Sequence, residues 1–141
     1  MRKINISIIQ MDVKLGDLKF NLDRGLKFLE KAIDRGSDII VLPEMWPTGF
    51  DYALIKTFPS NYHNEILSIV GNLAHKGNVY IVAGSMAEIE DQRIYNTSFI
   101  LGPDGAVIGK YRKVHLFKEL KEDKYFTPGN QGAVIDSEIA K

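Results

Sequence analysis

Four apolar residues run directly into a proline and a glutamate in the segment Ile39-Ile40-Val41-Leu42-Pro43-Glu44-Met45-Trp46-Pro47-Thr48-Gly49-Phe50. A short unbroken apolar run is typical of a strand that is buried on both faces. Because Pro43 has no amide hydrogen to donate, the strand is predicted to end there. Glu44 then lies just past the carboxyl end of the strand, at the edge where open α/β sheets bind ligands. With Trp46 close by, the segment predicts a pocket that contains a carboxylate and an aromatic wall.

The residues before this segment predict one strand and one helix. Residues 4–10 alternate apolar and polar side chains, as a strand does. From Asn21 the apolar residues follow a helical period, and we predict a helix with Asn21 as its N-cap and Gly36 as its C-terminal stop. A strand at 38–42 completes a βαβ unit, so the first two strands should be parallel.

The same pattern repeats after the segment. Ser60 or Asn61 can cap a second helix, which should end at the pair 77–78. Residues 79–84 are predicted to form another buried strand, which is parallel to the first two by the same reasoning. The chain therefore opens as a classical alternation of strands and helices, with short connections.

The alternation then gives way to a hairpin. A polar link is predicted at 88–93, followed by strands at 94–101 and 106–111 around the turn at 102–105. Residues 132–135 are predicted to form one more short strand. A sheet of this kind would keep an unpaired edge, which native proteins usually cover, so we expect the chain to end within a fold.

Composition restricts the possible functions. The chain has 141 residues, of which 45% are hydrophobic and 26% charged, which suits one globular domain. Its 18 basic and 18 acidic residues cancel, so neither a nucleic acid nor an anionic membrane surface is an expected partner. No apolar run approaches the ~20 residues of a membrane helix. With no cysteine and no metal-binding spacing of histidines, we expect no metal, no cofactor and a cytoplasmic location.

From the residues alone, each candidate for chemistry has a structural alternative. Glu44 could be functional or simply solvated, and its position at a strand end makes the two readings about equally good. Lys113 ends a basic cluster, which is more typical of a solvated strand end than of a cation that stabilises an oxyanion. Glu119 and Glu122 belong to a highly charged segment, whose composition indicates a solvated loop. Asn96 follows a tyrosine at the start of a strand, where both are usually structural.

Taken together, four segments resemble the nitrilase, or carbon–nitrogen hydrolase, superfamily, and they span nearly the whole chain. The resemblance rests on 42–50, 94–98, 102–105 and 110–117. Residues 122–129 are further similar to bacterial omega-amidase-like enzymes. The resemblance implies an α/β fold, the αββα sandwich of the nitrilase type, of which residues 1–141 would be the N-terminal half of a single domain. It also implies a homodimer or higher oligomer for the complete enzyme.

The resemblance implies a Glu–Lys–Cys mechanism that acts on the amide of a small carboxylic or 2-oxo acid. By matching motif, Glu44 would be the general base and Lys113 would hold the negative charge of the tetrahedral intermediate. Glu122 matches a second glutamate that helps orient the lysine and the substrate, and Glu119 is the competing candidate for that position. Such a mechanism needs a thiolate because an amide carbon is a poor electrophile.

The sequence departs from the family pattern in having no cysteine. The nucleophile is expected after the next buried strand, beyond Lys141, so the chain alone should be inactive and a C-terminal half could complement it. The alternative is a non-catalytic, degenerate homologue that serves as a binding or assembly partner. A flavodoxin-like nucleotide-binding domain is a third possibility, which rests on the βαβ pattern alone.

Overall fold

The computed structural model of the chain describes residues 3–139, which form a mixed six-stranded sheet with helices. Labels follow chain order. The elements are β1 (Ile6–Ile8), α1 (Leu18–Asp34), β2 (Ile39–Val41), α2 (Tyr52–Ile55), α3 (Tyr62–Gly77), β3 (Tyr80–Val82), β4 (Met86–Glu90), β5 (Arg93–Leu101) and β6 (Val107–Arg112). Two short 3-10 turns follow, at Lys118–Leu120 and Glu122–Lys124.

The sheet is parallel in its first half and antiparallel in its second. The strand order is β1-β2-β3-β5-β4, and β6 pairs with the free edge of β5. The β1, β2 and β3 strands are mutually parallel, which confirms the prediction drawn from the two βα units. The β5 and β6 strands form the predicted hairpin. The carboxyl ends of β2 and β3 therefore meet the antiparallel hairpin near the middle of the sheet.

The two long helices cover one face of this sheet. Leu29 of α1 and Val70 of α3 are fully buried with Ile40, Ile81 and Leu101 from the strands. The opposite face is more open, because the side chains of Ile6 and Ile8 are 58% and 74% exposed. Since neighbouring strand residues alternate between faces, each strand divides its side chains between a helix-covered face and an open face.

The first helix begins earlier than the sequence predicts. Asp17, not Asn21, is its N-cap, and the Asp17 Oδ1 accepts a hydrogen bond from the Phe20 amide at 3.1 Å. Asn21 is instead fully buried within α1. Its Nδ2 donates to the carbonyl oxygen of Pro47 at 3.0 Å, so it ties the helix to the segment that follows β2. The N-cap prediction was wrong because this distant carbonyl competes for the asparagine side chain.

Two further local expectations were wrong, and one short helix was missed. The link predicted at 88–93 instead contains the end of β4 and the start of β5, because a buried Glu88 has cationic partners in the sheet. Helix α2 was not predicted. No strand forms at 132–135, where the contact with the sheet is made through side chains, with Ile135 against Gly109. Within residues 3–139, no helix has the length and apolar character that a bilayer crossing requires.

Candidate active site

The segment after β2 turns sharply at Glu44. The Leu42 amide still pairs with the Val82 carbonyl at 3.0 Å, but Pro43 ends the ladder. Met45, the residue after Glu44, has a positive φ of 48°, a conformation that non-glycine residues rarely adopt. The Ser85 hydroxyl accepts a hydrogen bond from the Met45 amide at 3.0 Å and helps to hold this turn. Backbone strain of this kind is concentrated at functional sites.

Gly84 allows the end of β3 to approach this turn closely. Its φ is +59°, and a Cβ at this position would collide with the carbonyl oxygen of Pro43. The same carbonyl accepts the Ser85 amide at 3.2 Å. A residue with no side chain is therefore required at position 84, and the β3 end fixes the direction in which Glu44 leaves the sheet.

Lys113 arrives from the other side, directly after β6. Its amide donates to the Asn96 carbonyl at 2.9 Å, and its own carbonyl accepts the Gly129 amide at 2.9 Å. Its Nζ lies 2.8 Å from the Glu44 Oε1 and 2.8 Å from the Glu122 Oε2. The structure thus brings together all three residues that the sequence singled out, although the first and last lie far apart in the chain.

Glu122 is fully buried, so the expectation of a solvated loop was wrong at this position. Its Oε2 accepts hydrogen bonds from Lys113 and from the Phe117 amide, and its Oε1 accepts one from Asn96 at 2.9 Å. Burial opposes ionisation of Glu122, but these hydrogen bonds outweigh it and hold its pKa below the ordinary value. Glu119 is exposed, and no hydrogen bond or ion pair joins its side chain to the other candidates in the described part of the chain.

Asn96 is a member of this cluster that the sequence analysis treated as structural. It is 2% exposed, and its Nδ2 lies 2.9 Å from the Glu44 Oε1 and 2.9 Å from the Glu122 Oε1. A signal for it was present, because Asn96 belongs to the segment 94–98 that carries part of the family resemblance. The sequence could not show that Asn96 and one of its carboxylate partners, Glu122, are buried together.

The two glutamates differ in how many of their oxygens are occupied. Both oxygens of Glu122 accept hydrogen bonds, whereas the Glu44 side chain is 50% exposed and only its Oε1 is engaged, by Asn96 and Lys113. Within residues 3–139 the Glu44 Oε2 has no hydrogen-bond partner. Glu44 also lines an open cavity of about 460 Å³ on the open face of the sheet. Glu44 therefore has a carboxylate oxygen available to a bound molecule, whereas both oxygens of Glu122 are occupied by donors within the protein.

Lys113 is a cation whose charge is stabilised by its surroundings. Burial disfavours its charged form, but the hydrogen bonds to Glu122 and Glu44 outweigh burial, and the pKa of Lys113 is raised above its ordinary value. It also lines the cavity, together with Ser85, Ser98, Tyr111 and His115. A protonated amine in this position can stabilise negative charge that develops on a bound molecule.

Comparison with known proteins identifies the family. The family model described as "Carbon-nitrogen hydrolase" matches residues 5–141. The chain belongs to the carbon–nitrogen hydrolase family. The fold agrees, because the crystal structure of Saccharomyces cerevisiae Nit3, described as a member of branch 10 of the nitrilase superfamily, superposes with a TM-score of 0.81 at 28% identity. That match covers 96% of this chain and 52% of the yeast chain.

Curated relatives of this carbon–nitrogen hydrolase chain include amidases. A 2-oxoglutaramate amidase of Bacillus subtilis (strain 168) is 33% identical over 139 residues, which are 99% of this chain and 53% of that protein. A protein of Staphylococcus aureus named "Hydrolase in agr operon" is 34% identical over 126 residues, which are 89% of this chain and 48% of that protein. The chain spans about half the length of the curated relatives it matches.

Trp46 does not form the aromatic pocket wall that the sequence predicts, and the aromatic residue that lines the cavity is Tyr111. Trp46 is fully buried, and its Nε1 donates to the Ala83 carbonyl at 2.9 Å, so it belongs to the core. Tyr52 stacks on Tyr125 with ring centroids 4.1 Å apart, and its hydroxyl donates to the Leu120 carbonyl at 2.7 Å. Tyr52 therefore holds the segment that carries Glu122 in place. Among the described residues, no group of three or more His, Asp or Glu side chains could hold a metal ion.

Proposed function

We propose that this chain supplies the base and the cation of an amidase that works by a Glu–Lys–Cys mechanism. The observation that carries the proposal is the position of the Lys113 Nζ, 2.8 Å from Glu44 and 2.8 Å from Glu122, at the edge of a cavity. Glu44 keeps one oxygen unengaged within the described residues, and Glu122 keeps none. Residues 1–141 are then the N-terminal half of one hydrolase domain, and the cysteine comes from outside them.

Glu44 acts first in this proposal. It takes the proton of the cysteine thiol on its unengaged Oε2, and the resulting thiolate attacks the amide carbon. The carbonyl π electrons move to oxygen, and the oxyanion lies near the Lys113 ammonium, which stabilises it. Protonated Glu44 then gives its proton to the amide nitrogen, the C–N bond breaks, and ammonia leaves a thioester behind.

Water completes the reaction with the same groups. Glu44, ionised again, takes a proton from a water molecule that attacks the thioester carbon. The second oxyanion is stabilised by Lys113, and its collapse releases the carboxylic acid and the thiolate, which is reprotonated. Glu122 exchanges no proton in either half-reaction, because both its oxygens are occupied by donors. Its role is to fix Lys113 and keep the amine protonated.

The proposed substrate is the amide of a small carboxylic or 2-oxo acid. This choice is supported by the relatives, which include the 2-oxoglutaramate amidase of Bacillus subtilis and several proteins named omega-amidase. The volume of the cavity, about 460 Å³, lies within the range that is usual for small-molecule sites. A homodimer or higher oligomer of the complete enzyme, and its cytoplasmic location, remain predictions that accompany this proposal.

A chimera tests the proposal directly. Residues 1–141 are joined to the part of the Bacillus subtilis 2-oxoglutaramate amidase that this chain does not cover, and ammonia release from 2-oxoglutaramate is measured. We expect the chimera to hydrolyse the amide. Glu44→Gln and Lys113→Ala should each lower kcat by about 100-fold or more, the usual contribution of a general base or an oxyanion partner.

Glu90→Gln is the matched control for these variants. Glu90 is half-exposed and pairs with Arg112 at 2.9 Å, one residue before Lys113, so its loss removes a nearby carboxylate without touching the cavity. Its kcat should stay within about twofold of the parent, as expected for an exposed ion pair. A folded chimera without turnover, or a Glu44→Gln variant with the parental rate, contradicts the proposal and favours a role in binding or assembly.

A further inference from the structure

One residue, Asn96, is hydrogen-bonded to all three residues of the site, to two through its side chain and to the third through its backbone. The side-chain nitrogen of Asn96 donates to Glu44 and to Glu122, each at 2.9 Å, and its backbone carbonyl accepts a hydrogen bond from the backbone amide of Lys113 at 2.9 Å. These partners come from three separate parts of the chain, so no short-range turn accounts for the arrangement. At 2% exposure, Asn96 is also shielded from water that could replace these hydrogen bonds.

The chemistry of the amide requires each glutamate to present an acceptor oxygen to Asn96. An asparagine amino group offers two hydrogens and accepts none, so each oxygen it faces must be an acceptor. The reverse orientation would place the amide oxygen against two carboxylate oxygens, which is repulsive. Because one nitrogen donates to both carboxylates, Asn96 fixes the position of one oxygen of Glu44 and one oxygen of Glu122 at the same time.

Charge balance makes a neutral donor necessary at this position. The cluster holds two carboxylates and one ammonium, so the lysine cannot compensate both glutamates. A second cation in place of Asn96 would compensate Glu44 fully and weaken it as a base. A neutral amide supplies hydrogen bonds to both carboxylates and leaves the Glu44 Oε2 without a partner among residues 3–139.

We propose that Asn96 is a positioning residue of the amidase reaction, which fixes one carboxylate oxygen of Glu44 and one of Glu122 around Lys113. The role of Asn96 in the reaction rests on the proposed function. Its effect on the two carboxylates does not require a nucleophile and can be measured on this chain alone. Asn96 touches neither the thiol nor the substrate in this scheme. It acts through Glu44, by fixing one carboxylate oxygen so that the other is presented for proton transfer.

The first measurement uses the unmodified chain. In a pH titration followed by NMR, the side-chain amide signals of Asn96 should shift with the same midpoint as the carboxyl carbon of Glu122. Both amide protons should also exchange slowly with water, because each is engaged and buried. Asn96 amide signals that neither titrate nor show protection overturn the proposal, and this result needs no variant to fold.

Variants then measure the strength of the coupling. In Asn96→Leu and Asn96→Ser, the carboxyl titration of Glu122 should move upward by about one pH unit, as expected from the loss of one hydrogen bond to a charged group. Lys113, Glu44 and Tyr52, which also face Glu122, are unchanged in both variants. An unshifted Glu122 titration in either folded variant contradicts the proposal.

Thr97→Val is the matched control, and it separates this inference from the proposed function. Thr97 is the next residue of β5, fully buried, and donates at 2.8 Å to a carboxylate on the opposite face of the sheet. Its variant should leave the Glu122 titration in place, and an equal shift there contradicts a specific role for Asn96. In the active chimera, Asn96→Ser should lower kcat at least tenfold with little change in KM. If the chimera is inactive while the titrations behave as stated, the hydrolase proposal fails and the positioning of the carboxylates stands.

Discussion

Two clusters of charged side chains lie on opposite faces of the β4–β5–β6 sheet region, and they use the same residue types for different ends. On the open face, two carboxylates share one lysine beside a cavity. On the helix-covered face, Glu88 binds two cations, with Lys110 at 2.7 Å and Arg112 at 2.8 Å, and also accepts from Thr97 at 2.8 Å. One cluster has an excess of negative charge, and the other compensates its buried carboxylate completely.

The two clusters differ in how completely their carboxylates are paired. Glu88 is 4% exposed with both oxygens engaged, and the Arg112 guanidinium lies 3.9 Å from the centre of the Tyr95 ring. Burial opposes its ionisation, but hydrogen bonds from Arg112, Lys110 and Thr97 lower the pKa of Glu88 to about 2. Glu44, by contrast, is half-exposed and retains an oxygen without a partner among the described residues. Strong pairing stabilises, whereas incomplete pairing leaves a group able to react.

The largest expected effect on stability comes from removing the carboxylate of Glu88, compared with removing that of Glu44. Glu88→Gln leaves Lys110 and Arg112 without their buried partner, and the free energy of unfolding should fall by about 3–5 kcal/mol. Glu44→Gln removes a half-exposed carboxylate, and its effect on stability should be below about 1 kcal/mol. Urea denaturation of both variants measures the difference. Equal losses would show that the two clusters do not differ in their contribution to stability.

A second, smaller effect tests the backbone beside the open-face cluster. Gly84→Ala should lower the free energy of unfolding by about 2–4 kcal/mol, because the added Cβ meets the Pro43 carbonyl and the φ is positive. Gly36→Ala is the control, since Gly36 has a φ of +73° and open space around it. The control should lose about 1 kcal/mol, the conformational part alone. Similar losses in both variants would mean that the close approach at Gly84 contributes little.

The smallest of these effects appears on acidification. The pKa of Glu88 is about 2 in the folded protein and 4.5 for the free side chain, so its contribution to stability is present above pH 4.5 and is lost as pH falls towards 2. Between neutral pH and pH 3 the loss from this residue should be about 2 kcal/mol. Denaturation curves at several pH values measure it. A Glu88→Gln variant should lack this part of the pH dependence, and an unchanged acid profile in that variant would assign the loss to other carboxylates.

The sequence predicted the framework of the fold where local pattern and long-range packing agree. The apolar run before Pro43 is β2, and the hairpin around residues 102–105 is present. The prediction from the sequence failed where a polar side chain pairs with a residue that is distant in the chain. Glu88 was assigned to a loop because the cations that pair with it lie on another strand and are not visible in the local sequence. Asn21 was assigned to the start of a helix because its acceptor, the Pro47 carbonyl, is remote in sequence.

The residues of the site could likewise be predicted only where a single segment of sequence locates them. Glu44 was a candidate from its position after a strand, since strand ends can be located from one segment. Lys113 and Glu122 were candidates only through the family resemblance, because nothing local distinguishes them from solvated charges. The burial of Glu122 depends on Asn96, Lys113 and the Phe117 amide, three donors that only the folded chain places around it.

The wide spacing of the site residues has a consequence for how the protein acquires its chemistry. Glu44 and Lys113 are 69 positions apart, and Glu44 and Asn96 are 52 apart, so their contacts close long loops. Such contacts carry a large entropic penalty until neighbouring elements have docked. The cluster of Glu44, Asn96 and Lys113 therefore cannot assemble in a growing polypeptide until β6 has joined the sheet.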